Sequence, residues 1–151
     1  MVANPSKFQS IFPGTDGKIV IDIGTFSIEN SQEVQLLGVT IDSKLTFYSH
    51  VKNICKRALS KIKALMRVRS HLTQKQADLL FNAFIFSNFN YCPLVWMFCS
   101  NQSHNLINKT HGRALSAKYN TYSLSFDQLL QRDGSVSIHA RNLRLLVTEI
   151  F

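Results

Sequence analysis

Along the first forty residues the apolar positions come in short runs separated by turn residues. Lys7 to Phe12 is a brief run ended by Pro13-Gly14. Lys18 to Ile23 is β-branched and alternates around Asp22 before it stops at Gly24, and Phe26 to Glu29 follows. Val34 to Ile41 is the fourth and strongest run, with Gly38 inside it as a bulge or a close backbone approach. Gly-containing turns separate the first three, which predicts a small antiparallel sheet or set of hairpins.

From Ser49 the period changes. At about 100° per residue, 51–68 plots as an amphipathic helix. Val51, Ile54, Cys55, Ala58, Leu59, Ile62, Leu65 and Met66 share one apolar sector. Lys52, Lys56, Lys63 and Arg67 fall in a stripe about 60° wide beside it, and Arg57 and Lys61 lie on a further polar face. The segment holds no acid, so its like charges at i, i+4 repel without internal compensation. A phosphate backbone would supply that compensation.

Thr73 to Gln76 matches a capping box and opens a helix to about residue 90 that is apolar on most sides, so neighbours should bury it. Tyr91-Cys92-Pro93 interrupts it, and Leu94 to Phe98 continues as a second apolar segment. Ser103 is the expected cap of a helix running to Lys118. Ser125 to Gln128 is another capping box, for a helix ending at Asp133-Gly134. Ser135 or Ser137 starts the last helix, with Ile138, Leu143, Leu145, Leu146, Val147 and Ile150 on its apolar face. Gly112 costs about 1 kcal/mol in a helix interior and points to decay or a local break. The fold class expected is α+β: a small antiparallel sheet followed by a mostly helical region.

With 45% hydrophobic residues and eleven Phe among 151, the chain has the means for a buried core. No stretch approaches the roughly 18 uninterrupted apolar residues of a membrane span, and the first residues lack the pattern of a secretory signal. Cys55, Cys92 and Cys99 are an odd, irregularly spaced set that fits a reducing compartment, and each reads as a small buried hydrophobe. The expectation is an intracellular protein, nuclear or cytoplasmic, with no membrane partner. The net charge is +8, and its distribution matters more than its sum. Residues 51–118 carry eleven Lys/Arg against the single acid Asp78, while the flanking segments are slightly acidic or balanced. That concentration is the footprint of a polyanion partner.

Candidate catalytic chemistry is sparse. Metal-dependent phosphoryl transfer needs two or three converging carboxylates, and between Ser43 and Phe126 only Asp78 is available. Asp22 and Asp42 read as ordinary turn or edge carboxylates. Cys92, Cys99, His104 and His111 offer four zinc-type ligands at spacings that match no finger or knuckle. Gly14, Gly17 and Gly24 are turn glycines without a phosphate-loop pattern. Trp96 reads as core, and so do Tyr119 and Tyr122 ahead of a role as base-stacking platforms. His50, just before the basic helix, is a candidate backbone contact, with a cap or core-edge role ahead of it; His71 and His139 carry no signal. Neither a metal site nor a cofactor is expected in the chain.

Several stretches in order resemble the reverse transcriptases of non-LTR (LINE-type, jockey-like) retrotransposons. NPSKF at 4–8 looks like the family's motif D, and LLGVTIDSKLTFYSHV at 36–51 like its motif E and thumb entry. FNAFIFSNFNYCPLVWMFCS at 81–100 and SFDQLLQRDGSVSIHARNLRLLVTEIF at 125–151 resemble the region after the thumb. The resemblance implies a palm remnant at 1–43, a thumb-like helical region at 44–90 and a helical post-thumb region at 91–151. It implies that Leu36, Leu37, Gly38 and Val39 match the primer grip, a turn that holds the primer end, and that Lys7 matches the motif D lysine. It implies RNA–DNA or DNA duplex backbone as partner, held without reading sequence by Lys52, Lys56, Arg57, Lys63, Arg67 and His50. The family's paired Asp motif and its Mg2+ should lie upstream of Asn4, with the fingers and the rest of the palm. The chain alone is then expected to be inactive, a truncated piece of an RNA-directed DNA polymerase. The alternatives are a non-functional transposon relic and a small domesticated nucleic-acid-binding protein.

Overall fold

The computed structural model describes residues 7–15 and 17–150; the first three residues of NPSKF, Asp16 and Phe151 lie outside them. The chain forms two compact units, Met1–His50 and Val51–Phe151. The fold is α+β, with small antiparallel sheets followed by a mostly helical region.

The first unit holds two separate hairpins in place of one sheet. Strands β1 (Val20–Ile23) and β2 (Phe26–Glu29) pair antiparallel with Ile23 opposite Phe26, and Gly24 takes positive φ in the two-residue turn. Strands β3 (Glu33–Leu36) and β4 (Val39–Asp42) pair with Leu36 opposite Val39. The continuous Val34 to Ile41 run is therefore two strands. Leu37 (φ 48) and Gly38 (φ 82) both take the left-handed conformation that a two-residue type I′ turn requires, and the apolar side chain of Leu37 disguises that turn in the sequence. The expected Lys7–Phe12 strand reduces to a single bridge from Ser10 to Asn30. Asn30 ties down the entry to β1: its Oδ1 accepts from Ile19 N at 2.8 Å and its Nδ2 donates to Gly17 O at 3.0 Å.

Helix α1 (Tyr48–Val68) starts at the end of the first unit and continues through the second. Helix α2 (Gln74–Leu80) opens with the expected capping box at Thr73 and Gln76. It runs on not as a regular helix to residue 90 but as a π-helical turn at Phe81–Ile85 and a 3-10 turn at Phe86–Phe89. Burial on all sides is also not realised, because Leu79 and Phe84 are exposed. Cys92 takes φ +44 ahead of Pro93, which enforces the expected break and starts the one-turn α3 (Pro93–Trp96). Cys92 is exposed, contrary to its reading as core, whereas Cys55 and Cys99 are buried. Trp96 is core, with Nε1 donating to Tyr91 O at 3.0 Å.

Helix α4 (Asn101–Tyr119) is capped by Ser100, one turn earlier than the expected Ser103, which is itself fully buried. Helix α5 (Phe126–Asp133) has the Ser125–Gln128 capping box and ends on Gly134 at φ +65. Helix α6 (Ile138–Ile150) is capped by Ser137, whose Oγ accepts from Ala140 N at 3.2 Å. Gly112 marks no break: α4 runs straight through it. A Cβ there would lie 3.2 Å from the Phe126 ring, so the missing side chain lets α5 approach α4. The 44–90 and 91–151 stretches share the second unit from Val51 onward, because α2 and the π turn pack on α4. Among the described residues no helix is long and apolar enough to cross a membrane.

Candidate nucleic-acid interface

Helix α1 buries one sector and leaves the rest in water. Val51, Ile54, Cys55, Ala58, Ile62 and Leu65 are buried, all at helical spacing. Lys52, Lys56, Arg57, Lys61, Lys63 and Arg67 are all exposed. Met66, assigned by periodicity to the apolar sector, is exposed at its edge, next to the basic stripe. With about 1.5 Å of rise per residue, the Lys52–Arg67 stripe is about 22 Å long. Lys61 donates from Nζ to Asn88 Oδ1 at 3.2 Å.

His50 does not join this face. It is buried, and its Nδ1 accepts from Thr40 N at 3.2 Å, so the imidazole ties the first turn of α1 to β4 and is withdrawn as a backbone contact. Leu36 and Leu37 of the primer-grip-like turn are exposed, Leu37 at 82%, while Val39 beside them is buried. A large apolar side chain held in the left-handed region and in water is a strained, costly arrangement for a turn. Lys7 is exposed.

Two of the eleven cations between 51 and 118 are engaged by other groups of the fold. Arg69 donates from Nε to Lys118 O at 2.7 Å and from Nη1 to Leu72 O at 3.0 Å, clasping the end of α4. Lys118 is buried, 2.6 Å from Asp133 and 3.3 Å from Asp78. Tyr119 donates to the same Asp133 oxygen at 2.7 Å and carries the Arg132 guanidinium over its ring, so it is not free to stack on a base. Tyr122 is exposed. The sequence carries no signal for these internal roles beyond the mere presence of Asp78 and Asp133.

The carboxylates are committed elsewhere. Asp42 organises the turn into α1, accepting from Thr46 N at 3.0 Å, Phe47 N at 2.6 Å, Lys44 N at 3.2 Å and Thr46 Oγ1 at 3.1 Å. Burial pushes its pKa up, and these hydrogen bonds outweigh that and hold it below the usual carboxylate range. Asp22 accepts from Ser27 Oγ. Among the described residues no group of three or more His, Cys, Asp and Glu fits the Mg2+ that the resemblance implies for the wider family.

The zinc-type set is likewise dispersed. Among the described residues no three His, Cys, Asp or Glu converge on a common point. His111 is buried between the Phe86 and Phe126 rings, His104 lies edge-on to His139 at 4.4 Å, and Cys92 is exposed. Burial pushes the Cys55 and Cys99 thiols up, away from the thiolate a nucleophile needs.

One feature escaped the periodicity. Ala64 and Val68 lie outside the main apolar sector of α1, and with Leu65 they face Leu80, Phe84 and Ile85 across an open groove of about 300 Å3, with Lys61 at its edge. The apolar residues at 64 and 68, on an otherwise polar flank, are the sequence signal for it. No family model, no curated protein and no solved structure matches the chain.

Proposed function

We propose that this chain is the thumb-bearing part of a non-LTR-retrotransposon-type RNA-directed DNA polymerase, and that it grips the template–primer backbone without performing nucleotidyl transfer. The observation that carries the reading is the exposed, acid-free face of α1, with Lys52, Lys56, Lys63 and Arg67 in one stripe and Arg57 on a second polar face. Duplex DNA presents one negative charge per roughly 1.7 Å of axis, so a stripe of this length meets phosphates along all of it. Ammonium groups contact phosphates as point charges and read no base edges, which makes the grip independent of sequence. The exposed Leu36-Leu37-Gly38 turn is the matching candidate for the primer end.

The test is fluorescence anisotropy with a labelled RNA–DNA hybrid across a salt series. Four phosphate contacts give a log–log slope of about −4, a loss of a few hundredfold between about 50 and 200 mM salt. Lys56→Glu/Lys63→Glu should flatten that slope by about two. Lys109→Glu/Arg113→Glu changes net charge equally at exposed positions off α1 and should leave the slope nearly unchanged. Absence of binding at low salt, or equal losses in both variants, would sink the assignment.

A further inference from the structure

Four serines of the chain stand three residues after an arginine: Ser60 after Arg57, Ser70 after Arg67, Ser116 after Arg113 and Ser135 after Arg132. An arginine at that spacing is a charge pattern by which Arg-directed serine kinases select substrates. Those enzymes take the serine in extended, accessible backbone, so the fold decides which of the four can be reached. Ser60 is in the middle of α1 and Ser116 is half-buried inside α4. Ser135 has its Oγ buried. Ser70 differs from all three. It is exposed on the 3-10 turn Arg69–His71 that ends α1, none of whose residues is buried. Leu72, two residues on, is already extended at φ −105 and ψ 139. The ends of helices open locally at little cost, whereas the middle of a packed helix does not. Arg69, also basic and directly before Ser70, is held through its side chain by Lys118 O and Leu72 O, which leaves the serine on the solvent side.

We propose that Ser70 is a phosphorylation site whose phosphate closes the basic stripe of α1 to polyanions, an inference that rests on the nucleic-acid reading of that stripe. Lys63, Arg67 and Ser70 follow one another at i, i+4 and i+7, so Ser70 extends the Lys52–Arg67 line by one turn. In the reaction Ser70 Oγ attacks the γ-phosphorus of a nucleoside triphosphate held by the kinase. The bond from that phosphorus to the β-phosphate oxygen breaks, the nucleoside diphosphate leaves, and the hydroxyl proton passes to the kinase's base. The product carries a charge of about −1.5 to −2 and three acceptor oxygens. Arg67, exposed and one turn back, is the first cation within its reach, and Lys63 is the next along the line. With no acid between 51 and 70 to compete, the new phosphate takes these cations for itself and repels the duplex phosphates that would have met them.

The full chain is treated with an Arg-directed serine kinase and Mg–ATP, and the modified residue is mapped by mass spectrometry. Hybrid binding is then read by fluorescence anisotropy over the salt series, before and after treatment. The expected result is a phosphoryl group on Ser70, a log–log slope flatter by about one to two, and an affinity about ten- to a hundredfold lower near 100 mM salt. Ser70→Ala should bind the hybrid as the parent does, with or without kinase treatment. A chain left unmodified at Ser70, or one modified there that binds as before, overturns the proposal and leaves the reading of the stripe standing. Equal weakening of treated Ser70→Ala overturns it too, since another serine would then be the switch. An untreated chain that fails to bind at low salt removes the nucleic-acid reading itself, and this inference with it.

Discussion

Replacing Asp133 by Ala should cost the second unit a large share of its stability, and the reasoning can be followed atom by atom. The Lys118 side chain is 9% exposed and Asp133 10%, so neither charge is solvated by water. Burial alone would strip the proton from Lys118 and add one to Asp133. The 2.6 Å hydrogen bond between them outweighs burial on both sides, holding Lys118 above the ordinary lysine value and Asp133 below the ordinary carboxylate value. Without Asp133 the ammonium keeps Asp78, 3.3 Å away on a half-exposed side chain, and the faces of the Phe81 and Tyr119 rings, while the Tyr119 hydroxyl loses its acceptor. Breaking a buried pair typically costs about 3–5 kcal/mol, and the surviving Asp78 contact places this case near the lower end. Against a typical domain stability of about 5–15 kcal/mol that is severe. Lys118→Met/Asp133→Leu removes both charges and should fall within about 1 kcal/mol of the parent, because an apolar pair carries no desolvation cost. Urea unfolding at neutral pH followed by far-ultraviolet circular dichroism measures both. A single variant that loses less than about 1 kcal/mol, or a double variant as damaged as the single, would refute the account.

Two further outcomes concern pH and the β3–β4 hairpin. Burial between Phe86 and Phe126 lowers the His111 pKa to about 4, with Lys118 and Arg141 adding to the effect and Asp133 opposing it. The unfolded chain then binds the proton more readily, so stability is full above about 6.5 and is lost as the pH falls toward about 4, by about 3 kcal/mol; His111→Phe should remove that part of the acid sensitivity in pH-resolved urea melts. Leu37→Asn should stabilise the β3–β4 hairpin by about 1 kcal/mol, since Asn tolerates the left-handed conformation that Leu adopts under strain; hydrogen exchange of the β3 amides should slow, and faster exchange would contradict the turn assignment.

What was legible in the chain was local. Thr73–Gln76 and Ser125–Gln128 are capping boxes because their side chains reach only three residues, a distance that sequence records directly. The buried sector of α1 was legible because its period is an intrinsic property of the helix. The failures have non-local or disguised causes. Leu37 hid a turn because positive φ is signalled by Gly or Asn, and here only Gly38 announces it. His50 stands open in the sequence between a backbone contact and a cap or core-edge role, because Thr40, whose amide holds it inside, lies ten residues earlier on a strand. Gly112 reads as a helix defect because its reason, the Phe126 ring, stands on another helix. The π turn at Phe81–Ile85 has no compositional mark at all.

The charge distribution is where sequence and structure bear on each other most. Eleven cations between 51 and 118 look like one footprint, but Lys118 sits inside the fold, where Asp133 and the half-exposed Asp78 balance it. Setting Lys118 and Asp78 aside together leaves the excess of the stretch undiminished, and α1 remains cationic from Lys52 to Arg67. Three like-charged i, i+4 pairs, Lys52–Lys56, Arg57–Lys61 and Lys63–Arg67, each cost the isolated helix a few tenths of a kcal/mol. One glutamate per pair would reverse the sign. A helix shaped only by its own stability would carry such acids, as typical surfaces do. On the proposed function the acid-free face is explained from outside the chain, by a ligand whose charge is negative and whose length matches about 22 Å of helix.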